Sequence, residues 1–461
     1  MVYKKVPAHL WKIISLLYRE HVEYCLFKCE HIFNGANKNL DILFKSDADF
    51  SKACTLLQKT GFVLYLPETV EKFKRMYVLF DYEENILAAV HLHREVAWHG
   101  VRALDKRLIF SRQKELAPGV FVPSREDSLL IHVAHVLFEN YRIREKEKTL
   151  LPFYLPRNID WSYITQQLRI NGWVRGFHLV LAKFKKQQQP SFFDLFSNYS
   201  HKFLSYPSEF LYVSKKASLA FLRHFSMRRK GFVIALIGVH GAGKTTQTRQ
   251  LLSSYSPLLA FIHSKCIGYY FGWRPFSFFA RALSVLFRKQ QIYGKVTRMA
   301  KREKLSISHE ILFIYNYIEY LLRYAFHIYP HLRKGDLIVT DRYFYDVYGL
   351  YPYAEKSVLI PLLIKAFPKP DALFVLDADT DFIMRREKAS RTYENQFSST
   401  SRHVWSRQAL DSQRARYRSL SKLACASIIS TQQPIKATTE FIIGKTWRNI
   451  VLKTADIPPV C

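Results

Sequence analysis

Residues 238–245 read Gly-Val-His-Gly-Ala-Gly-Lys-Thr, a G-x-x-x-x-G-K-T pattern set at the end of the apolar run "KGFVIALIG". The run is about one buried parallel strand long. Gly238, Gly241 and Gly243 let the backbone wrap so tightly that amide N–H groups point inward at phosphate oxygens. "KTTQTRQLL" then opens a helix whose positive end faces the same anion. In that setting Lys244 reaches the β- and γ-phosphates of a nucleotide and Thr245 offers its hydroxyl to magnesium. His240, Ala242 and Thr246 complete the cradle.

Two further stretches carry chemistry that suits this loop. "DLIVTDRYFYD" is a second strand finishing in Asp341-Arg342-Tyr343. An aspartate at the carboxyl end of a strand beside a phosphate loop is placed for a magnesium shell, so Thr245 and Asp341 are the expected metal residues. An arginine next to it can hold a second phosphate; an exposed Asp-Arg salt pair is the plainer reading. A third strand, "PDALFVLDAD", precedes "TDFIMRREKASR", where Arg385, Arg386 and Arg391 cluster. Phosphoryl transfer spreads charge over the transferred oxygens, which closing arginines stabilise. Taken alone, the same cluster reads as a solvated basic face.

Together these pieces resemble the thymidylate kinase family and its relatives among P-loop nucleoside monophosphate kinases, over roughly residues 231–450. The resemblance rests on "GVHGAGKTTQ", "GDLIVTDRY", "PDALFVLDAD" and the arginine cluster, in the family's order. It implies that Lys244 and Thr245 serve ATP and Mg2+, that Asp341 orders the metal's water shell, and that Arg342 grips the acceptor's phosphate. Arg385, Arg386 and Arg391 would form a closing lid. The departures are equally specific. The family's loop carries an aspartate that contacts the thymidylate sugar, and here that position is His240. The family's arginine-glutamate-proline segment is replaced by "GYYFGWRP", with Trp273 and Arg274, and its alanine-tyrosine-glutamine stretch by "YGLYP". The phosphate machinery is retained and the nucleoside-reading parts are rewritten.

The amino-terminal block offers a second constellation. "FNGANKNLDILF" gives a turn-rich start and a short strand, followed by a helix from about Asp49 to Lys59. "RMYVLFDYEENILAAVHLHREVAWHG" reads as a hairpin turning at Glu83-Glu84-Asn85, and a capped helix begins after Pro123. Over about 20–140 this resembles the minimal nucleotidyltransferase fold, in which a glycine-rich turn precedes Asp-x-Asp and a third carboxylate sits on a neighbouring strand. Here the pair reads Asn39-Leu40-Asp41, and the neighbouring strand offers His91. That chemistry needs carboxylates around two magnesium ions, so a degenerate, non-catalytic domain is expected. His91 and His93 alternate along one strand and face the same side, either as satisfied structural histidines or with Asp41 as a metal site.

Positioning these residues requires two folded blocks. The fold class expected is α/β: a carboxy-terminal P-loop kinase domain with a parallel sheet flanked by helices, preceded by an α+β nucleotidyltransferase-like domain. The boundaries expected are 1–155, a helical basic and aromatic connector at 156–230, and 231–461. In the last block a long helix shows Ile311, Ile314, Ile318, Leu321, Leu322, Ala325 and Ile328 at helical spacing on one face, with Gly335 ending it. The chain has 461 residues, 49% hydrophobic and 15% aromatic, enough for two or three cores. Its formal charge is +31, about two thirds of it after residue 215, which attracts phosphates on nucleotides, nucleic acid or lipid without choosing among them. No apolar run reaches the length of a membrane span, and the start "MVYKKVPAHLWKIISLLYREH" reads as an amphipathic helix without a cleavage site. Six scattered cysteines read as reduced thiols, hence a cytoplasmic setting.

The function expected is an ATP-dependent phosphotransferase acting on a phosphorylated small-molecule acceptor, first of all a nucleoside monophosphate. A sugar- or lipid-linked phosphate as acceptor is the first alternative, and an ATP-switched nucleic-acid-associated protein the second. A homodimer is also compatible with the chain.

Overall fold

The computed structural model describes residues 8–27, 39–81, 86–155, 159–225, 231–262, 264–272, 307–351, 354–386 and 406–455. They fall into two compact units, the first comprising described residues up to Phe225 and the second those from Gly231 to Thr454. Trp273, Arg274 and Arg391 lie outside the described residues.

The first unit is built on a five-stranded mixed sheet of β1 (Tyr24–Leu26), β2 (Asn39–Phe44), β3 (Val63–Leu66), β4 (Lys74–Asp81) and β5 (Ile86–His93), in the spatial order β1-β2-β5-β4-β3. β2 and β5 run parallel, while the other neighbours are antiparallel. Helix Asp47–Lys59 starts two residues before the position read from sequence. Ser46 caps it, accepting a hydrogen bond from the Asp49 amide, and Asp47 and Asp49 in its first turn complement the helix dipole. Helix Ala8–Arg19 buries Leu10, Ile13, Ile14 and Leu17 against the same core as Leu40, Ile42, Phe44 and Phe50. Two short hairpins follow, β6 (Val96–Trp98) with β7 (Val101–Leu104), and β8 (Lys114–Ala117) with β9 (Val120–Val122). Helix Arg125–His135, capped by Ser124, is buried along most of its length and centres a second cluster with Trp98, Phe138, Trp173 and Phe177. The basic and aromatic stretch after residue 160 forms four helices, Trp161–Ile170, Val174–Lys185, Phe192–Ser205 and Pro207–Phe225, which belong to this unit.

The second unit is a wholly parallel five-stranded sheet of β10 (Phe232–Gly238), β11 (Cys266–Tyr270), β12 (Leu337–Asp341), β13 (Ala372–Asp377) and β14 (Ser427–Ser430). The spatial order is β11-β12-β10-β13-β14. β10 is buried at every position and lies between β12 and β13, so the chain changes direction across the sheet on either side of it. In open parallel sheets that reversal leaves a crevice at the carboxyl ends of the strands, where ligands bind. Helices cover the sheet, among them Lys244–Ser254 and Ile435–Thr454, in contact with each other and with β10.

One expectation fails here. On helix Ile307–Arg323 the aliphatic residues are not the buried ones: Ile314, Ile318 and Leu321 are exposed, whereas Phe313, Asn316, Tyr320 and Arg323 are buried. Of that aliphatic row Ile328, beyond the helix, is buried. The aromatic face wins because its rings bury more area and interlock with Phe344 and Phe367. It also has to carry Arg323 inward, where the guanidinium donates to Gly272 O at 2.5 Å and Tyr270 O at 2.9 Å. Gly335 does end the helical run, in a left-handed conformation at φ 89°. Among the described residues no helix is long and apolar enough to cross a membrane.

Candidate functional site

The loop after β10 is shaped by its glycines. Gly238 has φ 143°, and a Cβ there would lie 2.2 Å from the Leu376 carbonyl oxygen on β13. Gly243 has φ 84° and caps the helix Lys244–Ser254 in a left-handed conformation. Both positions require glycine, one for space and one for backbone angle. Gly241 shares the positive φ, at 79°, and Ala242 is fully buried beneath the turn. His240 stands exposed at the tip of the loop, and Thr245 and Thr246 are exposed at the start of the helix.

Lys244 folds back over this turn. Its ammonium donates to the carbonyls of Gly238 at 2.9 Å and Val239 at 2.7 Å, and the side chain is almost wholly buried. Burial, and secondarily the positive charge of Arg342, push the Lys244 amine down to about 7, against the opposing pull of Asp346 and Asp341. A phosphate beside it would restore the balance toward the charged form.

Asp341 is the last residue of β12, in register with Leu236 of β10, and is buried. The Thr245 hydroxyl donates to Asp341 Oδ2 at 2.5 Å. A hydroxyl and a carboxylate side by side are hard oxygen donors, the set that suits magnesium. Arg342 follows with φ 74°, a left-handed conformation costing about 1–3 kcal/mol in a non-glycine residue. It is held there by its amide, which donates to Leu236 O at 2.9 Å, and by its guanidinium, which donates to Asp346 Oδ2 at 3.2 Å.

Asp346 was not singled out from the sequence, although it stands one helical turn beyond Arg342. It is fully buried, burial raises its carboxyl above the ordinary range, and Arg342, Lys244 and Tyr417 oppose the rise. Tyr417 donates its hydroxyl to Asp346 Oδ1 at 2.7 Å from helix Arg407–Leu423.

The same helix fixes the segment that carries the expected arginines. Asp377, at the end of β13, accepts from Arg414 at 2.8 Å and from Arg418 at 2.8 Å, and Arg414 also reaches Asp379 at 2.9 Å. Residues 380–386 then form a helical turn. Arg386 lies over the Phe382 ring, and its guanidinium comes within 3.6 Å of where a Cβ on Gly243 would stand. Arg385 is exposed and turns back to Asp381 O at 3.4 Å. Lys244, Thr245, Asp341, Arg342 and Arg386 are therefore gathered at the carboxyl ends of β10 and β12, and Arg385 points elsewhere.

In the first unit, Asp41 of β2 pairs in register with His91 of β5. His91 Nδ1 and His93 Nε2 each lie 3.2 Å from Asp41 Oδ1. Asn39 opens β2 two residues earlier. A separate cavity of about 570 Å3 in this unit is lined by Lys72, Arg102, Lys106, Lys202 and Tyr206 among others.

No protein-family model matches this chain, and no curated protein does. Among solved structures, a thymidylate kinase from Ehrlichia chaffeensis is similar at 16% sequence identity with a TM-score of 0.30, over 47% of this chain and 98% of that one. A likeness of that size carries no weight for activity, and the site stands on its own geometry.

Proposed function

We propose that the second unit transfers the γ-phosphoryl group of ATP to a phosphorylated acceptor, a nucleoside monophosphate in the first instance. The observation that carries this reading is the convergence of Lys244, Thr245, Asp341 and Arg342 around one glycine-shaped turn at the sheet's reversal point. In this reading the turn's amides and the Lys244 ammonium bind the β- and γ-phosphates. Thr245 and Asp341 would hold magnesium, which would supply charge neutralisation to the phosphates. Arg342, anchored on Asp346, binds the acceptor's phosphate and keeps it in line. Arg386 neutralises charge on the transferred group from the side of the loop, where burial strengthens every such contact.

The acceptor differs from thymidylate in this reading, because an exposed imidazole stands at position 240, where a carboxylate would accept a sugar hydroxyl. The test is to incubate the full chain with ATP, Mg2+ and a panel of nucleoside monophosphates, sugar phosphates and lipid-linked phosphates, following ADP and the phosphorylated product. Transfer to a nucleoside monophosphate is the expected result. Transfer only to another phosphate would move the proposal to that acceptor, and no ATP consumption with any of them would overturn it.

A further inference from the structure

The two histidines and the aspartate of the first unit form a constellation that the phosphoryl-transfer reading does not use. Asp41 and His91 face each other across the parallel pair β2–β5, and His93 follows two residues later on the same side of β5. The donor atoms of the three side chains all lie within 4.8 Å of one another. Both imidazole nitrogens address the same carboxylate oxygen, at 3.2 Å each. Ligands held about 2.0–2.1 Å from a tetrahedral zinc ion are separated by about 3.3 Å. The two 3.2 Å spacings match that edge, and the His93–Asp41 one also serves as a hydrogen bond.

The frame is rigid, since all three residues lie on paired strands of one sheet. His93 is fully buried and Asp41 nearly so, and the His91 side chain keeps 16% of its exposure with both ring nitrogens buried. The competing cation is Lys74 of β4, in register with His93. It pairs with Glu139 at 3.2 Å, and Asp41 and Glu71 act on it as well. Lys74 is thus shared among three carboxylates, of which Glu139 is the one it pairs with. Two imidazoles and one carboxylate are a donor set for a borderline ion, and a poor one for magnesium, which wants oxygen throughout.

We propose that Asp41 Oδ1, His91 Nδ1 and His93 Nε2 bind one divalent ion of the zinc class, with water as the fourth ligand. The site is distinct from the oxygen-donor pair Thr245 and Asp341 in both ion and ligands.

The experiment strips the full chain with a chelator and titrates it with Co2+ and then Zn2+, with neither nucleotide nor magnesium present. The expected result is one Co2+ per chain with the intense visible bands of a four-coordinate ion, displaced by one equivalent of Zn2+. Asp41→Asn and His91→Asn should each weaken binding about 100-fold or more, since changing even a residue behind a ligand costs 10–100-fold. Asp341→Asn should leave the titration unchanged. Because ligand variants can also fail to fold, the wild-type cobalt form supplies a second count: two strongly shifted, solvent-exchangeable imidazole N–H resonances in its proton spectrum. Failure of the wild type to bind either ion, bands that survive both ligand variants, or a count other than two would each overturn the proposal.

Discussion

Thr245 Oγ1 and Asp341 Oδ2 share a hydrogen bond of 2.5 Å although 96 positions separate them. β10 and β12 run in parallel register, so the second residue of the helix after β10 meets the residue that closes β12. In the proposed reading a magnesium ion held by this pair would stand beside the phosphates bound by Lys244. Lys244→Ala should therefore reduce phosphoryl transfer by about 10³-fold, the scale seen when one preorganised donor is removed. Folding should survive, because the hydrogen bonds the ammonium makes to Gly238 O and Val239 O lie within its own loop. Steady-state turnover with a circular-dichroism control decides the matter: a folded variant with unchanged turnover would remove the kinase reading.

Tyr417 tests whether Asp346 matters through Arg342. Tyr417→Phe removes one hydrogen bond to a buried carboxylate and should cost about 1–3 kcal/mol of stability. With Asp346 less well held, Arg342 loses its anchor, and the KM for the acceptor should rise more than the KM for ATP. A stability loss measured by urea denaturation with both KM values unchanged would confine Asp346 to a structural role.

The residues that gather at this loop were legible where the chemistry is local in sequence. The glycine turn, the strand before it and the Asp-Arg pair each announce themselves within ten residues. What escaped was long-range or amphipathic. Arg414 and Arg418 fix Asp377 from a helix some forty residues away, and nothing near Asp377 signals them. Edge strands β11 and β14 are short and half-exposed, so they lack the apolar run that marked β10. In the long helix the aliphatic spacing does not mark the buried face, because aromatic area outweighs it. Tyr320 and Tyr324 are buried while Ile318 is exposed. In the first unit the placing of His91 and His93 on one side of a strand followed from alternation alone. The shared contact of both histidines with one oxygen needed the register of β2 on β5.

Two glycines should respond oppositely to alanine. Gly238→Ala places a Cβ 2.2 Å from a backbone oxygen at a positive φ, so neither the side chain nor the strand can yield cheaply. Overpacking of this kind costs about 1–3 kcal/mol, and the backbone strain adds to it. Gly444 lies inside the helix Ile435–Thr454 with nothing within 4 Å of the added carbon. Gly444→Ala should stabilise by about 0.5–1 kcal/mol through the entropy of the unfolded chain. Urea midpoints of the two variants check both signs, and equal shifts would contradict the contrast.

Lys202 sets a pH dependence in the first unit. Burial pushes its amine down to about 8, with Glu209 opposing, while its ammonium donates to Asn171 O at 2.6 Å. Between about 8 and the ordinary lysine value of 10.5 the unfolded chain binds more protons than the folded one, so this group's contribution rises with pH. It is fully present above 10.5 and lost as pH falls through 8, a span worth about 3 kcal/mol. Lys202→Met should flatten the slope of unfolding free energy across that window relative to the wild type. Parallel curves would show that another group carries the slope.

His240 separates a changed acceptor from a retained one. It stands exposed at the tip of the loop whose other residues, Gly238, Ala242 and Lys244, are turned inward. An imidazole can donate a hydrogen bond to a phosphate or hydroxyl, whereas a carboxylate only accepts and repels anions. If the acceptor has changed, His240→Asp should leave turnover of the preferred acceptor no better, and worse where that acceptor brings a second anionic group. On thymidylate the sign reverses: any activity should rise, though modestly, because the other residues expected to read thymidylate are replaced as well. The measurement is kcat/KM for wild type and His240→Asp on thymidylate and on the best acceptor of the panel. A wild type that already prefers thymidylate, with no change in either column, would make His240 a bystander to acceptor choice.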